Sequence, residues 1–123
     1  MKLQKILVPV DFSRCSETAF RYAKLMATKF SARINMIHVV DKRYVEKIAE
    51  LNSESEDEVS KKLCLQAKKN LERFSAGNDS EKLVAEKVVT VGTPFQTIAL
   101  RAQALGADMI VMGGHGRVGN GQI

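Results

Sequence analysis

The sequence predicts an α/β protein, an open parallel sheet with helices on both faces in a Rossmann-like arrangement. Four short apolar runs alternate with helical patterns, and this alternation indicates parallel strands joined by right-handed crossovers. The runs are almost continuously apolar, as in strands buried on both faces. The chain has 123 residues, 45% hydrophobic and 27% charged, a composition typical of one globular domain.

The four predicted strands cover residues 6–10, 33–40, 83–91 and 109–112. Pro9 has no amide hydrogen for a sheet ladder, so it should stand at the end of the first strand. Ligands of open parallel sheets bind outside the carboxyl ends of the strands. The residues that follow the strands are therefore expected to meet at one edge of the molecule.

The helix after the first strand should be capped by Ser13 or Ser16, whose hydroxyl oxygens can accept from free amides at its start. A short helix over residues 44–52 follows the second strand. The acidic run at residues 53–58 suits either a loop or the first turn of a long amphipathic helix that continues to residue 74. One apolar stripe along the first helix comprises Ala19, Ala23, Met26, Ala27 and Phe30.

The helix before the fourth strand carries the strongest start signal. Thr93 is predicted as its N-cap, Pro94 as its first residue and Gln96 as the partner in a capping box. Gly106 should end this helix in the left-handed conformation. Its predicted apolar face comprises Phe95, Ile98, Ala99, Ala102 and Leu105.

Composition limits the partners. The net charge is +5, but the basic residues are spread over helical faces, aromatic residues make up 6% and Trp is absent. We therefore take a solvated basic surface as the first interpretation and nucleic-acid binding as the weakest hypothesis.

Cys15 and Cys64 form no CxxC or metal-binding pattern, and the N-terminal apolar run is too short for a signal peptide or a membrane span. A cytoplasmic protein is expected.

Five of the eight glycines lie between Gly113 and Gly121, directly after the fourth strand. Backbone amides in such a loop can form a concave anion site, with His115 and Arg117 as candidate polar contacts. A flexible turn is the alternative. The spacing Gly114-x-Gly116-x-x-Gly119 matches a dinucleotide fingerprint, but that fingerprint belongs to the first strand–helix turn. His38 lies within a strand and is interpreted as structural.

Five segments together form a recognisable pattern: KILVPVDFS at 5–13, SETAFRYAKLMA at 16–27, INMIHVVD at 34–41, VGTPFQTIALRA at 91–102 and GADMIVMGGHGR at 106–117. In these segments the sequence resembles the universal stress protein family. The resemblance implies an adenine-nucleotide-binding α/β domain with five parallel strands that often forms a homodimer.

The resemblance implies a nucleotide site at the carboxyl ends of the strands. Asp11 matches the family residue that contacts ribose or a metal-bridged phosphate, so ATP or a related nucleotide with magnesium is the implied ligand. The implied nucleotide-binding residues are Pro9, Val10, Asp11, Val39, Val40, Met112, Gly113, His115, Gly116 and Arg117.

The family pattern continues nine residues beyond Gly116 with another glycine and a hydroxyl residue, whereas this sequence ends at Ile123. We therefore expect one domain over residues 1–123, truncated at its C-terminus, with four of the five strands. This departure favours an alternative: an interaction or dimerisation protein of the same fold that binds no nucleotide, in which Asp11→Ala leaves function and stability nearly unchanged. No nucleophile–base pair is evident, so slow ATP hydrolysis is the most that is expected.

Overall fold

The computed structural model describes residues 2–76 and 82–113. Within these residues four parallel strands form one sheet in the order β3-β2-β1-β4, which confirms the predicted fold class. None of the helices described is long and apolar enough to cross a membrane. The elements are β1 (Lys5–Pro9), α1 (Arg14–Phe30), β2 (Arg33–Asp41), α2 (Lys42–Asn52), α3 (Glu56–Ala76), β3 (Val84–Gly92), α4 (Pro94–Leu105) and β4 (Met109–Ile110).

Helices cover both faces of the sheet because successive side chains of β1 point in opposite directions. Ile6 and Val8 pack with Phe20 of α1 and Leu71 of α3. Leu7 packs on the other face, in a cluster with residues of β2 and α4. The chain moves from β1 outward to β3 and returns to place β4 on the opposite side of β1. The topological switch point therefore lies between β1 and β4, where ligands of such sheets bind.

Short polar side chains fix where the first three helices begin. Ser13 caps α1, because its Oγ accepts from the Ser16 amide at 3.2 Å. Asp41 accepts from the Arg43 amide at 2.9 Å, so α2 begins two residues earlier than predicted. Acidic residues 56–58 form the first turn of α3, where the helix dipole favours negative charge.

Two local predictions around α4 and β4 are wrong. Thr93 is the N-cap of α4, but its side chain makes no capping hydrogen bond, and the Thr97 amide instead bonds the Thr93 carbonyl oxygen at 2.8 Å. β4 contains two residues instead of four. The Val111 amide still donates to the Leu7 carbonyl at 3.0 Å, after which the chain approaches α1. A Cβ on Gly113 would lie 2.5 Å from the backbone carbon of Cys15.

The predicted apolar stripes of α1 and α4 omit the core residue Phe20 and include three exposed residues, Phe30, Phe95 and Ala99. Phe20 is 1% exposed and lies on the same helix face as Ser16 and Ala23, which are four and three residues away. Phe30, in the last turn of α1, is 47% exposed, and Phe95, in the first turn of α4, is 76% exposed. The prediction that Phe30 and Phe95 are buried rests on their spacing alone. Spacing along a helix does not show which of its turns extend beyond the sheet.

Asp108 ties the segment before β1 to the turn before β4. Its Oδ2 accepts from the amides of Gln4 and Lys5, each at 2.9 Å. These two amides, Gln4 first, hold the pKa of the Asp108 carboxyl below its ordinary value.

Asp108 should therefore contribute stability that is lost in acid. Because the folded pKa is lower than the unfolded pKa, the unfolded chain binds more protons between the two values, and stability falls as the pH drops below about 4. Asp108→Asn keeps an acceptor oxygen but cannot titrate. Between pH 7 and pH 3, the free energy of unfolding measured in urea should fall less for the variant than for the wild type. Equal losses would contradict this assignment.

Candidate functional site

Asp11 follows β1 and organises the turn into α1. Its Oδ1 accepts three hydrogen bonds: from the Ser13 amide at 3.0 Å, the Ser13 hydroxyl at 2.5 Å and the Ser16 hydroxyl at 2.6 Å. The Asp11 amide in turn donates to Ser16 Oγ at 2.9 Å. Asp11 is nevertheless an exposed residue at the carboxyl edge of the sheet. It therefore combines a helix-start role with a position where a ligand can reach it.

Phe12, the next residue, has a left-handed backbone with φ of 67°. An aromatic residue in this region costs about 1–3 kcal/mol and persists only where its surroundings hold it. The Phe12 ring centroid lies 4.6 Å from that of His38 and 6.0 Å from that of Phe74. Such strain is concentrated at functional sites in proteins, and here it lies at the end of a central strand.

One cleft opens beside this turn, between the end of β2 and helices α2 and α3. We call it the α2–α3 cleft; its volume is about 310 Å³. It includes the predicted residues Val39 and Val40, and no Lys or Arg is among the described residues that line it. The lining residues are Phe12, His38, Val39, Val40, Asp41, Tyr44, Leu63, Gln66, Ala67 and Asn70.

The one carboxylate among the described residues that line this cleft, Asp41, is ionised and paired with Arg43. The backbone amide of Arg43 and then its guanidinium, 3.3 Å from Asp41, hold the pKa of the Asp41 carboxyl below its ordinary value. The α2–α3 cleft is thus mainly apolar, with neutral polar groups, and suits a flat uncharged group.

A second cleft lies on the other side of the turn, between α1 and the residues after β4. We call it the α1–β4 cleft; its volume is about 480 Å³. It includes the predicted residues Met112 and Gly113, together with the cationic side chain of Arg14. The lining residues are Arg14, Cys15, Thr18, Ala19, Tyr22, Val111, Met112 and Gly113.

The α1–β4 cleft contains the start of a 17-residue helix. The amides of Ser16 and Glu17 are bonded to Ser13 Oγ and to the Ser13 carbonyl. The amides of Arg14 and Cys15 have no hydrogen-bond acceptor within residues 2–76 and 82–113. Free amides at a helix start, next to a cation, form an anion site. Arg14 is not among the residues predicted from the sequence, since the glycine loop holds the predicted anion contacts. The sequence signal for Arg14 is a cation at the first position of α1.

The structure therefore divides the predicted site residues between two clefts on either side of the Asp11 turn. Pro9 and Val10 are buried, and Val10 also belongs to the core, so these positions can offer a ligand little beyond backbone atoms. Val40 is likewise 6% exposed. His115, Gly116 and Arg117 lie outside the described residues.

Comparison with known proteins identifies the class. The fold is that of an α/β domain, and residues 2–123 match the model of the universal stress protein family. The chain is 31% identical to universal stress protein MJ0577 of Methanocaldococcus jannaschii, over 93% of this chain and 78% of that protein. The chain belongs to the universal stress protein family.

Solved structures agree with this assignment. The structure of MJ0577 superposes with a TM-score of 0.78 at 30% identity, covering 95% of this chain and 78% of that one. Universal stress protein UspA from Lactobacillus plantarum superposes with a TM-score of 0.64 at 26% identity, covering 96% of this chain and 85% of that one. A universal stress protein solved in complex with cAMP shares the fold, with a TM-score of 0.55 at 18% identity over 89% and 72%.

Proposed function

We propose that this protein binds an adenine nucleotide across the carboxyl edge of its sheet and acts as a nucleotide-responsive regulatory module. The observation that carries the proposal is the chemical contrast between the two clefts. The α2–α3 cleft has aromatic and neutral polar walls, whereas the α1–β4 cleft has Arg14 and free helix amides. A nucleotide has the same contrast between its base and its phosphates.

In this arrangement the base enters the α2–α3 cleft beside Val39 and the Phe12 ring. Contact with aromatic side chains stabilises a bound flat ring, and no Lys or Arg that would favour a phosphate is among the described residues that line this cleft. The exposed fraction of Tyr44 is 56%, so its ring stands at the mouth of the cleft. A nucleobase fits the volume of about 310 Å³, at the lower end of the range for ligand pockets, about 300–1,000 Å³.

The phosphates extend into the α1–β4 cleft, where Arg14 and the first amides of α1 supply positive potential. Asp11 is not among the residues that line either cleft, but Phe12 and Arg14 of the same turn line one cleft each. The exposed Asp11 carboxylate would accept from ribose hydroxyls of a nucleotide that spans the turn. No cluster of three or more metal-binding side chains occurs in residues 2–76 and 82–113. Magnesium would therefore bind together with the phosphates, with Asp11 as a protein ligand.

The family supports an adenine nucleotide over other phosphate compounds. One structurally similar universal stress protein was solved with cAMP, so this fold can hold an adenine nucleotide. No nucleophile–base pair is placed at either cleft by the residues that line it. We therefore propose ligand binding, rather than efficient catalysis, as the activity. Homodimerisation stays a prediction.

Titration calorimetry with ATP and magnesium tests the proposal. The wild type should bind one ATP per chain, and Arg14→Gln should weaken ATP binding about tenfold, because a hydrogen bond to a charged group contributes about 1.5–3 kcal/mol. Adenosine affinity should be unchanged by this variant. Arg21→Gln is the matched control, since it removes the same charge from the same helix outside the cleft. Absence of ATP binding to the wild type would refute the proposed function.

A further inference from the structure

His38 lines the α2–α3 cleft with its ring held in one orientation. Its Nδ1 lies 2.6 Å from the Val10 carbonyl oxygen. A carbonyl oxygen only accepts, so Nδ1 must carry the proton. In the neutral ring Nε2 then has a lone pair and acts as an acceptor. The ring contact with Phe12 fixes its plane, with centroids 4.6 Å apart.

Nε2 of His38 has no hydrogen-bond partner in the part of the chain that the structure describes. The half-buried ring thus offers the cleft one fixed acceptor that the fold does not use. The side-chain amides of Gln66 and Asn70 in the same cleft discriminate less between donors and acceptors on a ligand. Gln66 donates weakly to Asn70 at 3.4 Å, and amide side chains can present either a donor or an acceptor.

A fixed acceptor distinguishes purines at one position. Adenine has an amino group at carbon 6, which donates, whereas guanine has a carbonyl oxygen there, which accepts. Two acceptors that face each other leave both without a hydrogen bond, and this costs more than losing the bond alone. His38 would therefore favour adenine and act against guanine.

We infer that His38 is a specificity-determining residue of this site: its Nε2 accepts a hydrogen bond from the 6-amino group of adenine. The inference rests on the proposed nucleotide site and adds the residue that selects the base. It needs Nδ1 to keep its bond to Val10, because that bond sets which nitrogen accepts. The Phe12 ring contacts the His38 ring, and Phe74 in turn packs against Phe12.

Calorimetry with three nucleotides tests the inference on the wild-type protein, without a mutation. ATP has the 6-amino group, purine riboside triphosphate lacks it without added bulk, and GTP has an acceptor there. ATP should bind about tenfold more tightly than purine riboside triphosphate, and GTP should bind more weakly still. Equal affinities for ATP and purine riboside triphosphate would overturn the inference.

The variant His38→Phe removes both ring nitrogens and keeps an aromatic ring. It should lower ATP affinity about tenfold and raise GTP affinity about threefold, because the hydrogen bond to ATP and the repulsion of GTP are both lost, so that the preference disappears. Arg21→Gln, which changes a residue that lines neither cleft, should keep the preference and serves as the control. A His38→Phe protein that retains the wild-type ratio of ATP to GTP affinity would overturn the inference. If no nucleotide binds the wild type, the proposed function fails as well; binding without discrimination removes the inference alone.

Discussion

Asp11→Ala is expected to lower both the stability of the fold and its affinity for ATP with magnesium. Stability should fall by about 1–3 kcal/mol, because the variant removes a charged acceptor of three hydrogen bonds at the start of α1. Affinity for ATP should fall at least tenfold, since the proposed ribose and magnesium contacts are lost. Urea unfolding and calorimetry measure the two effects separately. Unchanged stability would contradict the hydrogen-bonding role.

Asp11→Asn separates the two roles. Its Oδ1 can still accept from Ser13 and Ser16, so stability should change by less than about 1 kcal/mol. The negative charge is gone, so ATP–magnesium affinity should still fall about tenfold. For the alternative in which the protein binds no nucleotide, the expectation of nearly unchanged stability is wrong, because Asp11→Ala removes the same hydrogen bonds there. The stability of the alanine variant therefore does not distinguish the hypotheses, whereas the ATP affinities of the wild type and of the asparagine variant do.

Phe20→Ala is expected to lower the free energy of unfolding by about 3–5 kcal/mol, as for other large residues removed from a core. Phe20 is 1% exposed, and its ring lies 5.5 Å from that of Phe74. Phe74 in turn supports Phe12 at the site, with centroids 6.0 Å apart. Denaturant unfolding measures the loss.

Leu25→Ala provides the control on the same helix. Leu25 is 70% exposed, so its loss should change stability by no more than about 0.5 kcal/mol. Similar effects at Phe20 and Leu25 would contradict the assignment of the buried face of α1.

The sequence was enough to predict the order of the strands and helices, because continuous apolar runs and capping residues are local signals. Pro9 does end β1, and Gly106 does close α4 with a left-handed backbone. The burial of Phe20 and the exposure of Phe95 depend on where each helix lies over the sheet. That relation is set by tertiary packing, which spacing along one helix does not show.

The candidate site was predictable where it follows directly from strand ends. Asp11, Val39, Val40, Met112 and Gly113 all lie at or just after the carboxyl ends of strands. Their separation into two clefts was not predictable, because it depends on the approach of Gly113 to α1 and on the placement of α3. Nor was the role of His38, since the bond that fixes its tautomer joins residues 28 positions apart.

Chemical-shift mapping by two-dimensional NMR tests the central claim, one nucleotide across two clefts, most directly. Adenosine should shift the amides of Val39 and Ala67, and pyrophosphate with magnesium should shift those of Arg14 and Cys15. ATP with magnesium should shift both groups with one common saturation curve. Saturable ATP shifts confined to one cleft, or to α4, would contradict the account.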